Sequence, residues 1–325
     1  MEKFSQFRDR GSGISPFIPS PSPSSGLLTY LLSTTLFLIR LPLFLPFFLL
    51  LLLTQYFPSL LRKLYLWLLL FIPGIWWVDL QLDNVKRGSL SQQPPSRVPH
   101  PGSIIAANFT SPIDAIYLAA VFDPVFVAAY PGTKKVRKIS LLQAILSAIS
   151  GTTITTSPPT GKDLTTLKAL REKYPNHILA VFPESGTTNG KGILPLSPGL
   201  LSAPAEAAIF PVSIRYTPPD ITTPVPGQWF GFLWRLLGRP THTVRVRIAE
   251  ALHNRSQAVN GVSSHDAAES SSRRGSGEGE VTAEEQDLLD NVGEALARLG
   301  RVKRVGLTLR DKKNFVEAWN KKGAR

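Results

Sequence analysis

One run of residues restricts this chain's fold more than anything else in it. Residues 27–78 hold 37 apolar side chains in 52 positions, 21 of them leucine, with Arg40, Arg62 and Lys63 as the charges. A soluble core hairpin is set aside, because Leu49–Leu53 runs unbroken beside several phenylalanines. The block divides at Arg62-Lys63. Its first arm, Leu27–Thr54, is long enough to span a bilayer, since about 20 helical residues cover roughly 30 Å. Arg40, Pro42 and Pro46 put a polar interruption and a kink near its middle. The second arm, Leu64–Val78, reaches only roughly 22 Å as a helix. It carries Pro73-Gly74 and closes on the interface-type pair Trp76-Trp77. A spanning hairpin and a re-entrant hairpin in one leaflet both stay open. The re-entrant form is preferred, because Arg62-Lys63 at a spanning tip would face the wrong side under the positive-inside rule. The block starts too late and runs too long for a cleaved secretory signal.

The rest of the chain divides by composition. Residues 1–26 are rich in Ser, Pro and Gly, lack a periodic apolar face, and read as a disordered arm. Residues 27–79 form the membrane-anchoring segment. Across 80–252, short apolar runs alternate with helical patterns. Strands are predicted at Ser103–Ala107, Val125–Ala129, Ile178–Phe182, Ala208–Ile214 and Thr243–Ile248, with helices after Pro112 and over Ser140–Ile149 and Asp163–Tyr174. That alternation predicts an α/β domain with a mostly parallel, helix-covered sheet. Residues 253–287 read as a disordered acidic insertion, and 288–325 as a helix over Leu288–Leu299 followed by a basic tail. The net charge of +13 favours an anionic partner. Beside a leucine-rich block, membrane lipid fits better than nucleic acid, for which no aromatic RNA-binding motif is present. With no cysteine, disulfides, thiolate metal sites and cysteine nucleophiles are excluded.

Four segments carry candidate chemistry. Asn108-Phe109-Thr110-Ser111-Pro112-Ile113-Asp114 ends a strand and starts a helix, with Ser111 as N-cap, Pro112 at N1 and Asp114 at N3. Asp114 is then either half of a capping box or a carboxylate set in the positive field of a helix N-terminus beside an anionic substrate. Phe182-Pro183-Glu184-Ser185-Gly186-Thr187-Thr188-Asn189-Gly190-Lys191 follows a strand and is either a plain turn or a loop that offers N–H groups to phosphate. Ile209–Tyr216 is a buried strand containing Pro211 and emerging at Arg215. The fourth and weakest is Gly151–Ser157. Ser185 lacks a hydrolase elbow, Gly161-Lys162 lacks a P-loop frame, and no spacing suggests zinc.

Taken in order, these segments resemble the motifs of the glycerolipid acyltransferase superfamily: H-x4-D, G-x-x-[FI]-x-x-R, F-P-E-G-T and I-x-P-V. The opening Met1-Glu2-Lys3 with Pro16-Phe17, and Lys313-Asn314-Phe315-Val316, are similar to a fungal branch that acylates lysophosphatidic acid. The resemblance implies the α/β fold of that superfamily and transfer of a long-chain acyl group, oleoyl by preference, from acyl-CoA to lysophosphatidic acid or a related lysolipid. Acyl-CoA would be a co-substrate, with no bound cofactor or metal. It implies Asp114 and Glu184 as catalytic residues, and Asn108, Thr110, Ser111, Ser185, Gly186, Thr187, Asn189, Lys191, Pro211 and Arg215 as the substrate-binding set. It also implies the endoplasmic reticulum membrane and lipid droplets, with the domain facing the cytosol.

Three positions depart from the family pattern. Phe109 stands where the family's proton-accepting histidine is, and none of the five histidines fills a motif slot. Losing a general base costs about 10²–10⁴ in rate. Asp114 would then act as base directly or through a water, or the chain would be a catalytically impaired lipid-binding or vesicle-trafficking factor. Ser185 replaces a glycine and Ser157 an arginine, so Lys191 or Arg215 becomes the expected phosphate cation. Lys134, Lys135, Arg137 and Lys138 form either a site for CoA phosphates or anionic lipid, or a solvated loop.

Overall fold

The computed structural model describes residues 2–22, 26–85, 92–150, 164–254 and 282–323. Its centre is a seven-stranded sheet in the order β1-β8-β7-β2-β5-β3-β4. The strands are β1 (Trp77–Leu82), β2 (Ile104–Ala107), β3 (Val125–Ala129), β4 (Val136–Ile139), β5 (Leu179–Val181), β7 (Ile209–Thr217) and β8 (Thr243–Ile248). The pairs β1–β8, β2–β5, β2–β7 and β3–β5 are parallel, while β3–β4 and β7–β8 are antiparallel. β6 (Gly192–Ile193) pairs separately with β9 (Lys303–Arg304).

Strand side chains alternate between two buried faces. Ile105, Ala107, Phe210, Val212 and Ile214 point to one core, covered by α2 (Ser59–Phe71), α3 (Pro112–Phe122), α4 (Leu141–Ser150) and α6 (Trp229–Leu237). Ile104, Ala106, Leu179, Val181 and Ile209 point to the other, covered by α5 (Leu167–Lys173) and α7 (Ala283–Gly300). Burial on both sides explains why these strands read as unbroken apolar runs.

The amino-terminal half of the leucine-rich block is α1 (Leu27–Leu50), continued as a 3₁₀ turn over Leu51–Tyr56. The helix and its turn, Leu27–Thr54, are long and apolar enough to cross a membrane, with most of that surface uncovered. α1 nevertheless lies along the domain. Phe37 and Tyr30 meet Trp234 of α6, with Phe37 at 4.9 Å between ring centroids, and Phe47 stacks on Tyr65 of α2. Arg40 donates to the carbonyls of Leu237, Arg239 and Pro240 past the end of α6 and to that of Pro73. The polar interruption is thus a clasp on unpaired carbonyls at a helix C-terminus.

Five expectations need correction. The block divides at Phe57-Pro58, and Arg62 lies inside α2, paired with Asp123. The second arm is not a free hairpin leg: Leu66, Leu69 and Leu70, at helical spacing, seat α2 on α3, and Trp77–Asp79 belong to edge strand β1. Composition alone does not reveal which side of an apolar helix is covered.

The N-terminal arm is not disordered over its described residues. Phe4, Phe7 and Phe17 are buried around Phe315, with Trp319 beside them. Three aromatic anchors in a Ser/Pro/Gly background need no period when their partner lies about 300 residues away. That partner belongs to α8 (Leu309–Gly323), so the basic tail is a helix, and α7 starts at Ala283, inside the stretch read as insertion. The middle of the acidic insertion, 255–281, and the segment 151–163 with Ser157 lie outside the described residues.

Candidate active site

The candidate residues gather at the C-terminal ends of the parallel strands, where open α/β sheets bind ligands. The loop after β2 leads into α3 through a formed capping box: the Ile113 N–H donates to Ser111 Oγ, and Asp114 Oδ2 accepts the Ser111 N–H at 2.9 Å. The same oxygen accepts the Thr110 N–H at 2.7 Å and the Thr110 hydroxyl at 3.1 Å, while Asp114 Oδ1 accepts the Tyr216 hydroxyl. Asp114 is 0 % exposed. Burial pushes its carboxyl up to about 6, against the pull of the Tyr216 hydroxyl and the loop N–H groups. The Tyr216 hydroxyl is held well above its ordinary range by burial and by Asp114.

Glu184, 1 % exposed, follows β5. Its Oε1 accepts the Phe109 N–H at 3.3 Å and its Oε2 the Leu194 N–H at 3.0 Å. Burial drives it up to about 8, the two N–H donors pull it back, Asp114 pushes it further up and Lys312 of α8 draws it down. The two carboxyls therefore share one buried polar centre. At Phe109, 2 % exposed, the ring stacks on Phe182 at 4.3 Å, turning the family's base position into an apolar plug.

The remaining site residues divide by what they hold. Asn108 clamps β2 to β7, donating to Ile214 O at 3.0 Å and accepting the Ile214 N–H at 2.7 Å. Ser111 Oγ donates to Ile221 O at 2.9 Å. Ser185 sits at φ +54°, the left-handed region a family glycine would occupy freely, and its hydroxyl donates to Ala129 O at 2.9 Å. A side chain at Gly186 would meet Leu309, its Cβ falling 2.4 Å from Leu309 Cδ2. Thr187 Oγ1 donates to Thr223 O at 2.7 Å. Asn189 donates to the carbonyls of Ser15 and Ile18, both at 2.7 Å, which ties the N-terminal arm to this loop. Pro211 is buried in β7, its carbonyl accepting from the Ala249 N–H at 2.9 Å.

Neither expected cation is brought into this centre. Arg215 lies one residue out of phase with Ile214 and Tyr216, so it points to the α7 face and donates to Gly300 O at 2.5 Å. Lys191 is exposed at the loop's end. Lys134 bonds Glu285 of α7 at 2.8 Å, and Lys138 bonds the Tyr174 hydroxyl at 2.8 Å, so these two are engaged within the fold. Sequence reasoning did not nominate Tyr216, which strand alternation from Ile214 could have found, or Lys312, for which no local signal exists.

Beside Pro112 and Ile113, on the α1 side of the sheet, lies a wholly apolar cavity of about 250 Å³. Phe44, Leu70, Ile116, Ile149, Phe232 and Leu236 are among its lining residues. It runs between α1 and the domain, within one residue of Asp114.

Residues 86–215 match the family model described as Acyltransferase. A Schizosaccharomyces pombe protein with the provisional name lysophosphatidic acid:oleoyl-CoA acyltransferase is 27 % identical over 99 % of both chains. Lysophosphatidic acid:oleoyl-CoA acyltransferase 1 of Saccharomyces cerevisiae is 26 % identical over 61 % of each. The solved structure of the 1-acyl-sn-glycerophosphate acyltransferase PlsC from Thermotoga maritima aligns over 85 % of this chain and 95 % of its own, with 16 % identity and a TM-score of 0.36. The matched segment, with its motifs in that order, makes this chain similar to acyltransferases of the glycerolipid type.

Proposed function

We propose that this protein transfers a long-chain acyl group from acyl-CoA to lysophosphatidic acid or a related lysolipid, with oleoyl the expected chain. The observation that carries the reading is the juxtaposition of the Asp114–Glu184 centre with the apolar cavity beside Ile113. A thioester is already an activated donor, so alignment and charge stabilisation supply most of what transfer needs. Asp114 sits within the pH range where a carboxyl exchanges protons near neutrality, and it takes the place of the absent histidine as base, directly or through a water. The relatives' names support the lysophosphatidate acceptor.

The membrane part of the proposal rests on packing. α1 runs along the domain from Tyr30 to Phe48, and Trp229 and Phe230 of α6 are exposed beside it. A spanning α1 would drag α6 and its polar end into hydrocarbon. Lying in one leaflet fits better. The cytosolic face of the endoplasmic reticulum and the lipid-droplet monolayer are the surfaces proposed, with fluorescence co-localisation and protease protection as checks.

A second reading, a lipid-binding or trafficking protein with impaired chemistry, is favoured by the Phe109–Phe182 stack at the base position. One assay separates the two. Wild type and Asp114→Asn/Glu184→Ala, in membranes of a host lacking its own lysophosphatidate acyltransferase, are given labelled oleoyl-CoA and lysophosphatidate. A loss of about 10² or more in the double variant supports catalysis. Equal transfer by both favours the second reading.

A further inference from the structure

A lysine ammonium is among the most costly groups to bury, yet Lys312 of α8 is 1 % exposed. Its Nζ donates to Thr187 O at 2.8 Å and to Thr187 Oγ1 at 2.9 Å. From there three hydrogen bonds, joined through the backbones of Thr223 and Thr110, lead to the candidate base. Thr187 Oγ1 donates to Thr223 O at 2.7 Å, the Thr223 N–H donates to Thr110 O at 2.8 Å, and the Thr110 N–H donates to Asp114 Oδ2 at 2.7 Å. The neighbouring Thr188 N–H donates to Phe109 O at 3.0 Å, so the two motif loops are stitched together along this line.

Charge points the same way. The charged groups acting on the Glu184 carboxyl include Asp114 from α3 and Lys312 from α8, with opposite effects. Burial holds Lys312 down to about 7, and Glu184 opposes that shift. Thr187 accepts both of the ammonium's described bonds, with its own hydroxyl proton committed to Thr223.

We propose that Lys312 is a positioning residue of the transfer site, bracing the Gly186–Thr187 turn from outside the matched domain and holding its ammonium against the loop that carries Glu184. The proposal rests on the transferase reading above. A purely structural clamp would affect stability alone. An electrostatic brace also sets the pH at which Glu184 titrates.

The test compares wild type, Lys312→Met, Lys312→Arg and the exposed neighbour Lys313→Met in full-length protein reconstituted in vesicles. Lys312→Met is expected to lower kcat by roughly 10² with KM for lysophosphatidate little changed. It should raise the pH at which the Glu184 carboxyl ionises, because that carboxyl loses a favourable cation. Lys312→Arg should return that pH toward wild type. Infrared titration of the Glu184 carboxyl, assigned by its loss in Glu184→Gln, should show the same upward shift independently of turnover. An active wild type, with Lys312→Met matching Lys313→Met in kcat and carboxyl titration, overturns the Lys312 inference alone. An inactive wild type overturns the transferase reading, and the infrared titration still decides on Lys312. If Lys312→Met does not fold, Thr187→Val removes the acceptor hydroxyl and carries the same kcat expectation; unchanged kcat there overturns the proposal.

Discussion

At Ser185 a single residue shows how this site balances strain against hydrogen bonding. A non-glycine residue at φ +54° costs on the order of 1–2 kcal/mol, and the bond from Ser185 Oγ to Ala129 O offsets roughly 1 kcal/mol of that. Ser185→Gly should therefore change unfolding free energy by less than about 1 kcal/mol, the relieved strain and the lost bond cancelling. Ser185→Ala keeps the strain and loses the bond, so it should destabilise by about 1–2 kcal/mol. Denaturant unfolding in a fixed detergent would measure both; a neutral Ser185→Ala would refute this balance. The residue scale also marks the limit of what the amino-acid order discloses. Asp114 and Glu184 could be singled out because each lies in a segment that resembles a family motif, Asp114 also at the N3 position of a capping signal. Tyr216 was readable only through the alternation of β7, which also removes Arg215 from the site. Lys312 was not readable, because its role depends on Thr187, 125 residues away.

Among the elements, α1 has the most to lose from a single change. Its Arg40 joins four carbonyls near the end of α6, a bond set that belongs to the folded domain rather than to membrane affinity. Arg40→Leu should leave the protein at least as firmly bound to membranes in carbonate extraction, since it removes a charge from an apolar helix. The same change should lower thermal stability, by about 2 kcal/mol, because hydrogen bonds to a charged donor are lost. Weaker membrane binding with unchanged stability would show that Arg40 serves the bilayer instead. Element positions were largely legible: β3 and β8 lie where their apolar runs predict, and α3 starts at its capping signal. What the sequence could not show was coverage. Leucine-rich α2 and the phenylalanines of the N-terminal arm looked like lipid anchor and loose chain until α3 and α8 supplied their partners.

For the whole molecule, the buried carboxyls set how stability follows pH. A carboxyl whose folded value lies above its unfolded one gives stability that is complete below the unfolded value and is lost as pH rises through the folded one. For Asp114 the loss runs from about 4 to about 6, and for Glu184 from about 4.5 to about 8. Lys312 acts in the opposite sense over higher pH, because burial lowers it from 10.5 to about 7 and the unfolded chain holds that proton longer. Glu184→Gln should therefore flatten the decline of melting temperature between about pH 5 and 8. Calorimetry at a series of pH values would check it, and an unaltered slope would place the titrating group elsewhere.

The contact between Phe4 and Phe315 closes a loop of about 310 residues, for an entropic cost on the order of 5 kcal/mol when the chain between them is still unfolded. Such a closure becomes favourable only after the sheet has drawn its two sides together. The packing of the N-terminal arm on α8, and Lys312 with it, should therefore be the last part of the site to form, as pulse-labelled hydrogen exchange would show in late protection of α8. During assembly, a chain with α1 already held at a membrane would still lack the brace on its Gly186–Thr187 turn. Competence for chemistry would come after delivery to the lipid surface, as a consequence of folding order alone.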